Sequence, residues 1–220
     1  MSLEVLITAL GETRGQWLHE VMLKTYVGFD ISHGYDHIAK VVDWLEKILA
    51  GEKDDCSNDA RMLAYVAAVV HDWCDPKYKN VCEFDVRAAI TVEFGAEFDE
   101  NVNEIITNMS YSAELNSLRK LPLVQNRVVR WDRVRRWVQA ADWLTSVGKE
   151  GLVKSLQYNY HILGHRDEKL YSAVRSLHGT RLVSYIETVS AIENYPGIYL
   201  FAQAHAEMQL CVDSLEQLEF

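Results

Sequence analysis

Apolar residues recurring at helical spacing restrict this chain more than any other feature. Ile38, Val41, Val42, Leu45, Ile48 and Leu49 fall at i, i+3 and i+4, and so share one helix face. Val102, Ile105, Ile106 and Met109 repeat the pattern, as do Val183, Ile186, Val189 and Ile192. Leu18, Val21, Met22 and Thr25 give a weaker version near the start. Clear period-two alternation is missing, and no segment repeats another. Prolines stand only at Pro76, Pro122 and Pro196, which leaves long stretches free of the residue that breaks helices. Turn chemistry separates the periodic stretches at 51–59, 75–80, 95–99, 110–125, 164–168 and 194–197. The pattern predicts an all-α chain of roughly eight to ten helices. No linker rich in Gly, Ser or Pro divides the 220 residues, so a single compact domain over 1–220 is expected.

Composition narrows the partners. At 49% apolar and 25% charged residues the chain matches ordinary globular proteins, which excludes disorder and fibrous folds. A formal charge of −10 disfavours nucleic acid as a partner, because a phosphate backbone needs a basic face. A small phosphorylated substrate stays compatible with it, since one metal or a few local cations reverse the sign inside a pocket. Charge-free runs such as Met62–Val70 and Asn194–Ala206 fall short of the ~18–20 residues of a membrane span, so no membrane partner is expected. The N-terminus has no basic region followed by an apolar one, so no signal peptide is expected. Cys56, Cys74, Cys82 and Cys211 show no CxxC spacing and read as reduced thiols, which implies a cytoplasmic location.

Two stretches carry polarity in an apolar setting. His71-Asp72 directly follows the charge-free run Met62–Val70, and a carboxylate buried there must be paired, bound to a cation or protonated. Asp142 is the only charged residue from Trp137 to Gly148. Taken alone, each is also what a buried salt bridge or a cap looks like. His37 adds a third point. Set at 0° on its helix, it has the apolar residues at about 20–140°, which puts it at the edge of the buried face. Two histidines and two aspartates at core boundaries form a set that one divalent cation satisfies. Nitrogen and carboxylate donors without thiolate point to Mn, Mg, Fe, Co, Ni or Zn. Arg135 lies two turns before Asp142 on nearly the same face and, with Gln139 between, is a candidate to reach a substrate phosphate. The other basic residues of 119–136 scatter around the axis, as in a surface salt-bridge network.

These residues resemble the HD-domain superfamily of metal-dependent phosphohydrolases, whose hallmark is a His, a His-Asp pair and a distant Asp on helices. SHGYDHIAKVV resembles the opening SHDxxHxxRV of its small bacterial branch, which includes nucleotide pyrophosphohydrolases. AAVVHDWCDPKY resembles that branch's AALLHDxxDxKY, and VQAADWLTSVG its VQDADRLDAIG. The similarity spans about residues 30–155, which would form the metal-site core, with 156–220 as C-terminal helices packed on it; Glu168-Lys169-Leu170 gives a weaker echo. The resemblance implies metal ligation by His37, His71, Asp72 and Asp142. It selects His37 over His33 and leaves His33 for substrate. Asp75 would handle a metal-activated water, and Lys77 would bring positive charge to the phosphate. The implied activity is hydrolysis of a small organic phosphate, with a nucleotide the leading substrate.

Departures from the family pattern bear on substrate rather than on metal. Gly34 replaces an Asp and Lys40 an Arg, while Ala140, Trp143 and Thr145 stand where the family has Asp, Arg and Asp. Asn108–Ser112 resembles a segment that often carries a His. No histidine lies between Asp72 and Asp142, whereas dinuclear relatives draw further ligands from that interval, so a single ion is expected. The rival from another class is a catalytically silent protein on the same scaffold that binds a nucleotide or a partner. A purely structural helical protein ranks third. Long apolar C-terminal helices are compatible with a homodimer.

Overall fold

The computed structural model describes residues 2–30, 33–52, 56–73, 84–109, 130–147, 149–161, 164, 172, 184, 187–192 and 195–216. Among them there is no strand; nine helices are delimited, and residues 187–190 are helical as well. The all-α expectation holds.

The periodic stretches become the buried faces. In α3 (Tyr35–Gly51) all six apolar positions of the pattern are buried, and His37 joins them. The uninterrupted run fills α4 (Asn58–Val70), where every residue from Met62 to Val70 is buried. A helix apolar all round belongs in the middle of a bundle, and here it is. The α4 start is set by Ser57, whose hydroxyl accepts from the Ala60 N–H at 3.2 Å. Glu46 of α3 accepts from the Tyr65 hydroxyl and from Arg61 Nη2 at 3.4 Å, which ties α3 to α4.

α1 (Ser2–Leu10) and α2 (Glu12–Thr25) form a tight helical hairpin. Gly11 turns it at φ 82°, in the left-handed region that favours glycine. Gly15 lets the two backbones meet, since a Cβ there would stand 2.6 Å from the Ile7 backbone. α2 buries Leu18, Val21, Met22 and Thr25, the weaker periodic stretch.

α5 (Val86–Phe94) and α6 (Ala96–Thr107) follow, separated only by Gly95 at φ 90°. The break expected over 95–99 therefore shrinks to one residue. Asp99, read as turn chemistry, is instead a buried helical residue, and Arg87 of α5 meets its carboxylate at 2.9 Å. α6 buries Val102, Ile105 and Ile106, and Met109 is buried just beyond its end.

α7 (Asp132–Ser146) is followed by α8 (Lys149–His161) and, later in the chain, α9 (Ile198–Glu216). The chain divides into two compact units, Met1–Ala141 and Asp142–Phe220, with the boundary inside α7. In the second unit Trp143 stacks on Tyr195 (ring centroids 6.1 Å apart, 15° between planes), and Tyr195 meets Phe201 edge-on at 6.0 Å. Val189 and Ile192 are buried there, in line with the fourth periodic stretch. Its other members, Val183 and Ile186, lie outside the described residues, as do the breaks expected at 75–80 and 110–125.

Candidate metal centre

α4 ends at Val70, and His71, Asp72 and Trp73 form the turn that follows, closed by the Trp73 N–H on the Val70 carbonyl at 3.1 Å. Helix burial therefore delivers the His-Asp pair to the rim of the core. The Tyr26 hydroxyl donates to the Val69 carbonyl at 2.7 Å and anchors the last turn of α4 to the end of α2. The α3 start faces this turn. The N–H groups of His37 and Ile38 both bond the Gly34 carbonyl, at 3.0 and 3.2 Å, and His37 lies on the first turn of the helix.

His37 Nε2 is 3.4 Å from Asp72 Oδ2, and His71 Nε2 is 3.4 Å from Asp72 Oδ1. The two imidazole rings cross at 67° with centroids 5.5 Å apart. Donor atoms of all three residues lie within 4.8 Å of one another, a group able to hold a metal ion. Donors that each bind one ion at about 2.0–2.2 Å stand roughly 3–3.5 Å apart, so the His–Asp spacings fit. The side chains of His37 and His71 are 3% and 5% exposed, and Asp72 16%, so water reaches the group mainly along the carboxylate. His71 Nδ1 lies 2.9 Å from the Ala68 carbonyl oxygen. A carbonyl only accepts, so Nδ1 is the donor there, and in the neutral ring Nε2 is left with its lone pair towards Asp72. A neutral histidine held in this tautomer is what a divalent cation requires.

Three of the four expected ligands thus converge. Asp142 opens the second unit, half-buried, and its carbonyl accepts from the Thr145 hydroxyl at 2.7 Å. Asp75 and Lys77 lie outside the described residues. His33 stands next to His37, rings 6.1 Å apart, and its Nδ1 lies 3.4 Å from Asp30 Oδ1. Arg135 is buried. Its guanidinium meets Asp132 at 2.9 Å and donates to the Asn108 carbonyl at 3.3 Å, while Gln139 donates to the Met109 carbonyl at 2.9 Å. The pair therefore holds the chain leaving α6 against α7.

The departures from the resembled pattern have local reasons. A Cβ on Gly34 would come within 2.9 Å of the Asp30 carbonyl oxygen, so the turn leaves no room for a side chain. Ala140, Trp143 and Thr145 are all buried, and each fills interior space rather than facing a cleft. Tyr26 was not singled out from the sequence. A tyrosine at the end of an apolar helix face carries no mark of the carbonyl that it will bond.

No protein-family model matches the chain, and no curated protein matches it in sequence. Its fold is similar to solved structures. The selenomethionine form of Bacillus subtilis YpgQ superimposes with a TM-score of 0.65 at 21% identity, covering 92% of this chain and 95% of that one. A Lactobacillus plantarum protein gives 0.62 at 20% identity, with 91% and 95% covered. Bacillus subtilis YpgQ in complex with ADP gives 0.63 at 20% identity, with 92% and 94% covered. At these identities the likeness is one of fold.

Proposed function

We propose that this chain is an HD-type, metal-dependent phosphohydrolase with a mononuclear centre, acting on a small organic phosphate and most naturally on a nucleotide. The observation that carries it is the convergence of His37, His71 and Asp72 at the ends of two buried helices. The fold likeness to YpgQ, one structure of which holds ADP, supports the nucleotide. In this reading Asp142 is the fourth ligand. When bound, a divalent cation polarises a phosphoryl oxygen and lowers the pKa of a coordinated water. Asp72 neutralises part of the ion's charge, and the Ala68 carbonyl keeps His71 in the ligating tautomer. Asp75 takes the proton from the attacking water. Lys77 and His33 bind the phosphate, with Asp30 orienting the His33 ring. Arg135 is assigned to the substrate side, and its bond to the Asn108 carbonyl lets it act by fixing the chain beyond α6.

The test is phosphate release from a nucleotide panel with added Mn²⁺, Co²⁺ or Mg²⁺. Metal-dependent turnover of at least one nucleotide is expected, and Asp142→Ala should abolish both bound metal and turnover. One observation favours a second reading, a silent nucleotide- or partner-binding protein. Ala140, Trp143 and Thr145, at positions where the resembled family places charged residues, are packed into the interior. Stoichiometric metal with no turnover of any substrate would favour that reading.

A further inference from the structure

The first unit holds a cavity of about 590 Å³ that the metal centre does not use. It opens between the end of α1, the starts of α2, α4 and α7, and the α5–α6 junction. Its volume falls within the roughly 300–1,000 Å³ of small-molecule sites. We propose that this cavity is a second ligand site for a small planar anion, an aromatic or heteroaromatic ring carrying one carboxylate, sulfonate or phosphate.

The charge comes from arginine. Arg14, Arg61 and Arg130 line the cavity against two carboxylates, Asp59 and Glu97, in a chain whose net charge is −10. Arg61 is answered by Glu46 and Arg130 by Glu97, at 3.4 and 2.9 Å. Arg14 is exposed, sits 5.9 Å over the Phe94 ring, and among the described residues faces no carboxylate at ion-pair distance. Trp131 adds a further aromatic face to the lining, with the Arg130 guanidinium 5.7 Å from its ring centroid. The Asn58 and Asn101 side-chain amides add further donors.

The planar ring follows from the aromatic wall. Phe94 and Phe98 stack at 4.5 Å and 26°, and Trp17 braces Phe94 edge-on at 5.2 Å and 87°. A ring stacked on this pair would bring its anionic group towards the Arg14 guanidinium. The site is separate from the metal. Met62 and Leu63 border the cavity, and His71 lies eight residues beyond Leu63, so about 12 Å separates them along the α4 axis.

Isothermal titration of the full chain with 1-anilinonaphthalene-8-sulfonate, a planar aryl sulfonate, tests the proposal. One saturable equivalent is expected. Arg14→Gln, an exposed change that leaves packing intact, should weaken binding at least five-fold. His71→Ala should leave the affinity within two-fold. The proposal is overturned if no saturable binding occurs up to millimolar probe, or if Arg14→Gln binds as the wild type does. It is equally overturned if His71→Ala abolishes binding, which would place the probe at the metal centre instead.

Discussion

Tyr65 shows how one buried side chain both ties helices and senses pH. It is fully buried in α4, and burial, reinforced by its hydrogen bond to Glu46, raises its hydroxyl pKa well above the ordinary tyrosine value. A folded-state pKa above the unfolded one gives stability that is complete below about pH 10 and is lost as pH rises further. Tyr65→Phe should therefore cost roughly 1 kcal/mol at neutral pH through the lost hydrogen bond. It should also flatten the alkaline fall in stability, and urea melts at pH 8 and pH 10.5 would show both effects. An equally steep alkaline fall in the variant would assign it to other groups. The histidines of the candidate site were legible in the sequence because each stands at the border of an apolar pattern, and His71-Asp72 closes a run with no other charge. Tyr65 was not, since a tyrosine inside that run looks like one more core residue until Glu46 is known to face it. Arg135 is similar. Helical phase relates it to Asp142 but is blind to the Asn108 carbonyl, which comes from the turn just beyond α6.

Among the helices, the buried faces of α2, α3, α4 and α6 were all legible, because periodicity is a local property that tertiary packing merely uses. Boundaries were less so. Asp99 reads as turn chemistry, yet Arg87 across the α5–α6 hairpin meets its charge and lets the helix start directly after Gly95. Close approach between backbones leaves no sequence mark at all. Gly15 is an ordinary helical glycine until α1 is packed on it. Gly15→Ala would gain helix propensity in isolation, but pushing α1 from α2 should cost a net 1–3 kcal/mol or so, seen as a lower urea midpoint. The Ser57 cap gives a cleaner number. Ser57→Ala removes the acceptor for the Ala60 N–H and should cost about 1 kcal/mol in the same assay. No change would mean that water replaces the cap without loss.

For the whole molecule, the charge of −10 is a sum, and within it the first unit holds two places suited to charge of opposite kinds. His37, His71 and Asp72 form a group able to hold a cation at one end of α4, and the cavity proposed for an anion lies near the other. Neither is visible in the total. No helix among the described residues is long and apolar enough to cross a membrane. An ion that binds only the folded chain stabilises it by about 2.7 kcal/mol at one hundred times its Kd, so chelation should lower the Tm by roughly 5–10 °C. Calorimetry with and without EDTA reads that shift, and an unchanged Tm would mean that the ion contributes nothing to the fold. The most direct test of the central claim is the metal content of the purified chain beside His71→Ala, measured by elemental analysis after exchange into Mn²⁺ and desalting. The account predicts one equivalent per wild-type chain and less than a tenth in the variant. Equal metal in both would contradict it.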